Sequence, residues 1–189
     1  YKAGSRYDFS SGASFTIDTQ KPSNVTLVSP SSNSYISTNI ASFSFEQTED
    51  TGSKVNSYHL QISETASFGT IYTNIYNIPD TADGLGRINV NEVLLGTATV
   101  YYWRVRAIDK AVNTNNFSDT WFFTKDTLSP VFVSCSPTNG SYSNFEVNFN
   151  WSFNDNESSV NYYNFYIGTN ANVNSYDILN NYYNGTNYS

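Results

Sequence analysis

The chain repeats itself at the scale of a small domain. Phe15-Thr16-Ile17-Asp18-Thr19-Gln20-Lys21-Pro22 returns as Phe123-Thr124-Lys125-Asp126-Thr127-Leu128-Ser129-Pro130. The spacing from Asp18 to Asp126 is about 108 residues, the size of one β-sandwich and far above the ~20–50 residues of a helical solenoid unit. The sequence therefore predicts beads in a row: residues 1–19 as the last strand of one repeat, 20–126 as a complete repeat, and 127–189 as the opening strands of a third.

Within each bead the strands are announced by alternation. In Phe145-Glu146-Val147-Asn148-Phe149-Asn150-Trp151-Ser152-Phe153 the apolar residues fall on one face and the polar ones on the other. The matching stretch of the repeat before it turns Phe43 and Phe45 inward and Ser42, Ser44 and Glu46 outward, so Phe45 stands where Trp151 stands. Tyr101, Trp103, Val105 and Ala107 form the inward row of a third strand, with Tyr102, Arg104 and Arg106 outward. Turn clusters at Asp50-Thr51-Gly52-Ser53, Asp83-Gly84-Leu85-Gly86 and Asn139-Gly140-Ser141 separate such segments, and no amphipathic helix is evident. The expected fold is all-β, a series of sandwiches.

Those residues also resemble a family. Leu95, Thr99, Tyr101, Trp103, Val105 and Ala107 are similar to the sixth strand of fibronectin type III (Ig-like) domains, and Phe45 and Trp151 fall where that family has its second-strand tryptophan. The Val55–Tyr58 and Val160–Tyr163 pairs match as well. The resemblance implies that Tyr101 is a tyrosine corner, its hydroxyl tied to nearby backbone. Asp-Thr-x-x-Pro at Asp18 and Asp126 resembles the linkers between tandem repeats of prokaryotic surface proteins. By the internal alignment residues 127–189 lack a fifth to seventh strand, which leaves an apolar face and strand edges to be covered. Continuation of the array beyond these residues is the expected answer, with strand donation by another copy of the chain as the alternative.

Charge and composition narrow the function. Sixteen acidic against nine basic side chains give a net charge of -7, which repels nucleic acid. Few residues are charged while Asn, Ser, Thr and Tyr abound, as suits an extracellular surface. No apolar run is long enough to be a transmembrane segment. The lone Cys135 rules out an intrachain disulfide and reads as a buried, inert thiol in a strand. His59, the lone histidine, falls on the polar side of Tyr58-His59-Leu60-Gln61-Ile62 and reads as solvent-facing.

Catalytic constellations are not found: there is no Cys–His pair, no phosphate-cradling glycine loop and no His/Cys metal cluster. Glu49 and Asp50 pair on paper for glycoside hydrolysis, but a sandwich loop offers no deep cleft to raise one of their pKa values. The expectation is no enzyme and no cofactor, with calcium the one ion the sequence admits. Asp18 and Asp126 in the linkers, and Asp50 and Asp155 in the loops after the second strand, supply the oxygen ligands it needs. Their simpler role is to make turns through their own hydrogen bonds.

Seven Asn-x-Ser/Thr sequons, at Asn24, Asn116, Asn139, Asn150, Asn156, Asn184 and Asn187, are candidates for glycosylation. Chance produces many in an Asn- and Ser-rich chain. Tyr162 and Tyr166 are expected on an outer face, where they would pair across strands or stack on sugars. Two functions follow as expectations. One is a structural repeat in a surface stalk, fibre, filament or coat, with neighbouring repeats or subunits as partners. The other is an adhesin or carbohydrate-binding module that takes glycans.

Overall fold

The computed structural model describes residues 14–143, 146–165 and 181–183. Every regular element among them is a strand. They are β1 (Leu27–Ser29), β2 (Ser34–Ile36), β3 (Ile40–Glu46), β4 (Val55–Ser63), β5 (Ile71–Pro79), β6 (Arg87–Leu94), β7 (Val100–Asp109), β8 (Trp121–Lys125), β9 (Val131–Ser136), β10 (Asn150–Asn154), β11 (Tyr163–Phe165) and β12 (Asn181–Tyr183). The first eight form two sheets, ordered β1-β3-β6 and β2-β8-β7-β4-β5. All their pairings are antiparallel except β2 with β8.

The sheets face one another across an aromatic core. From the smaller sheet Phe43 meets Trp103 edge-on at 5.0 Å and Phe45 meets Tyr58 at 5.0 Å. Tyr101 stacks on Phe123 at 5.8 Å. Such edge and offset arrangements add roughly 0.5–1.5 kcal/mol per pair beyond burial, because the ring edge is positive and its face negative. The alternation in β3 and β7 carries through as expected: Phe43, Phe45, Tyr101, Trp103, Val105 and Ala107 are fully buried. This is a β-sandwich.

The Tyr101 hydroxyl faces the backbone of Gly96 and Ala98. Burial raises its pKa, and those backbone N–H groups offset part of that rise. No partner reaches it at full hydrogen-bond geometry, so the expected tie to backbone is only an approach. A different tyrosine is firmly held. Tyr58 donates to Asp80 Oδ1 at 2.9 Å and accepts from the Thr48 N–H at 3.0 Å.

Two expectations change. His59 is buried, with 1% of its surface exposed. Alternation had placed it on the outer side of the five-stranded sheet, but a covering segment lies there. Residues 115–118 run along the upper half of β7, where Asn115 and Ser118 bond to the backbone of Ala107 and Val105. Phe117 thereby reaches across the sheet to His59. Cys135 is exposed rather than buried, because every residue of β9 is exposed and, among the described residues, β9 pairs with β10 alone.

Trp151, matched in the sequence to Phe45, makes a similar ring contact. Trp151 meets Tyr163 edge-on at 6.0 Å, as Phe45 meets Tyr58. Trp151 is half-buried where Phe45 is wholly buried. The strand expected from Phe145 onward begins at Asn150, and Phe145 lies outside the described residues, as does the segment 1–13.

Candidate functional site: an acidic cluster at one end of the sandwich

Three aspartates from distant parts of the chain converge at one end of the sandwich. Asp18 lies on the segment that precedes β1, Asp50 in the β3–β4 loop, and Asp109 at the last position of β7. One carboxylate oxygen from each lies within 4.8 Å of the others. Asp50 and Asp109 are buried, with 5% and 1% exposure, and Asp18 is half-buried.

Local structure explains why each side chain points there. Asp50 Oδ2 accepts from the Lys54 N–H at 2.9 Å and closes a turn in which Lys54 has a φ of 75°. Asp109 accepts from the Asn113 backbone at 2.7 Å and from its side chain at 2.8 Å. Asp18 accepts from the Gln20 N–H at 2.9 Å and the Ser53 N–H at 2.6 Å. The Ser53 hydroxyl, then these backbone donors, holds the Asp18 carboxyl below the usual carboxylate range. Gly52 makes the approach feasible, because a Cβ there would overlap the Asp18 carboxylate.

These donors are all N–H or O–H groups, and among the described residues none of the partners is a cation. Carboxylates that lie within 4.8 Å of one another repel, since like charges at this range disfavour each other's ionised form. One oxygen is also left over. Asp50 Oδ1 is inaccessible to solvent and meets no hydrogen-bond partner, an omission that costs roughly 1–3 kcal/mol or more for a charged group.

Beside the cluster a groove of about 380 Å³ is lined by Gln47, Thr48, Glu49, Asp50, Lys54 and Asp80, among others. Glu49 and Asp50 both line it, Glu49 exposed and Asp50 buried. Of the aspartates proposed from sequence as oxygen ligands, Asp18 and Asp50 are thus brought together. Asp126 and Asp155 lie apart from them. Asp126 is held low chiefly by the Ser158 hydroxyl, and Asp155 Oδ1 accepts from Glu157 and Ser158. Asp109 escaped sequence reasoning. Its signal is the Asp109-to-Asn113 spacing at the end of the best-patterned strand, which reads as a turn.

The remaining candidates are surface residues. Asn24, Asn116, Asn139, Asn150 and Asn156 are all exposed, while Asn184 and Asn187 lie outside the described residues. Tyr162 is 48% exposed, and Tyr166 is outside the described set.

No family model matches the chain, and no curated protein matches it at a significant level. Among solved structures the chain is similar to CopC from Methylosinus trichosporium OB3b, with 18% identity and a TM-score of 0.34 over 55% of this chain and 94% of that one. Among the described residues no helix is long and apolar enough to cross a membrane.

Proposed function

We propose that this chain is a non-catalytic, extracellular structural protein of tandem fibronectin type III-like sandwiches, part of a surface stalk, fibre, filament or coat. The observation that carries this reading is the recurrence of one constellation in two places. Phe45–Tyr58 corresponds to Trp151–Tyr163, the Asp18–Ser53 contact to Asp126–Ser158, and Lys54 at φ 75° to Ser159 at φ 68°. Core, linker contact and loop backbone repeat together, as expected when one bead is copied along a chain. The strand order β1-β3-β6 and β2-β8-β7-β4-β5 supports the fibronectin-type resemblance. The exposed sequons and the low content of charged residues support an extracellular setting.

Function on this reading is mechanical: each bead is stable by itself, and reach comes from their number. Electron microscopy of native surface material labelled with an antibody to residues 20–126 tests it. Regularly spaced beads along a fibre or coat are expected. Diffuse label combined with selective, competable retention on a glycan array would replace this reading with the carbohydrate-binding one, in which Tyr162 would be a contact.

A further inference from the structure

We propose that Asp18, Asp50 and Asp109 form a calcium site that fastens the segment ahead of the sandwich to the ends of its two sheets. Three features point to a hard divalent cation. The donor set is all oxygen, with three carboxylates within 4.8 Å of one another. The hydrogen-bond donors to them are uncharged amide and hydroxyl groups. Most telling is Asp50 Oδ1, a carboxylate oxygen shielded from water on a 5% exposed residue and without a partner. The N–H groups nearby bond to the other carboxylate oxygens of the cluster, so the lone pairs of this oxygen suit a cation better than a hydrogen-bond donor.

Each carboxylate oxygen that accepts one N–H retains a second lone pair, so the hydrogen bonds orient the ligands without using them up. Calcium tolerates such irregular oxygen sets, whereas magnesium demands a near-octahedral one and keeps its water. The cation bridges three places in sequence: the segment before β1, the β3–β4 loop and the end of β7. Its binding therefore restrains the entry segment relative to the sandwich. This inference stands without the tandem-repeat reading, because Asp50 and Asp109 belong to one sandwich and Asp18 to the segment directly before it.

Calorimetric titration of the EDTA-stripped 189-residue chain with calcium chloride, up to about 5 mM and so beyond the ~0.1–1 mM affinities of extracellular modules, is the test, paired with melting curves in calcium and in EDTA. One ion per chain and a melting temperature several degrees higher in calcium are expected. Asp50→Asn, which keeps an acceptor for the Lys54 N–H, should weaken binding at least about tenfold. In EDTA the same variant should melt no lower than the parent, because it relieves repulsion, while in calcium it should melt below it. Asp155→Asn should bind as the parent does. No heat and no melting shift in the parent, or binding that survives Asp50→Asn and vanishes in Asp155→Asn, would overturn the site.

Discussion

At the scale of single residues, the sandwich depends on a few rings and one buried imidazole. Phe45→Ala removes a fully buried ring from its edge contact with Tyr58 and is expected to cost about 3–5 kcal/mol in urea unfolding. Tyr58→Phe leaves the Asp80 oxygen and the Thr48 N–H without their shared partner, an expected loss of about 1–3 kcal/mol. His59 makes a pH prediction. Its Nδ1 accepts from Arg106 Nε at 3.2 Å, so its Nε2 carries the proton and donates to Asn74 Oδ1 at 2.9 Å. Burial, aided by Arg106 and Arg104, lowers its pKa below 6.5. The unfolded chain thus takes up the proton first as pH falls. The stability due to neutral His59 is complete above about pH 6.5 and is lost as pH drops through the folded value. The acid slope of stability in this range should shrink in His59→Gln, and an unchanged slope would show that carboxylates alone set it.

At the scale of elements, part of the outer side of the five-stranded sheet is covered. Arg104 lies 3.9 Å from the Phe68 ring centroid and 4.2 Å from that of Phe117, and its guanidinium is also bonded to Gln61. Tyr76 stacks on His59 at 4.1 Å. Cation–π contacts of this kind contribute roughly 0.5–2 kcal/mol each, more where water is excluded. The loop at the sandwich end is equally specific. Gly52→Ala pushes the Asp18 carboxylate away, and hydrogen exchange should accelerate at the Ser53 and Gln20 amides that it holds. Unchanged exchange there would mean that Asp18 is not seated on the loop in solution.

At the scale of the whole molecule, the two sheets from β1 to β8 enclose one continuous core that runs from Val25 to Phe123. A fragment spanning residues 14–126 should therefore unfold cooperatively, with a midpoint close to that of the corresponding transition in the 189-residue chain. Absence of a cooperative transition would mean that the sandwich needs residues beyond 126. Much of this architecture was legible in advance. Phe43, Phe45, Tyr101, Trp103, Val105 and Ala107 face inward as their alternation required, since a strand with one face on a core can take only one register without exposing every ring. The site was half legible: Asp18 and Asp50 stood out as carboxylate oxygen ligands outside the strands.

What the chain's order of residues settled by itself is local: which stretches are strands, which side of each is apolar, and where turns interrupt them. Whether an outward side meets water depended on a segment more than fifty positions away in the sequence, and so His59 became buried beneath Phe117. The union of Asp109 with Asp18 and Asp50 was likewise decided only by tertiary structure. Alternation encodes the face of one strand, whereas the meeting of a linker, a loop and a strand end requires both sheets to be packed and their ends brought to the same side.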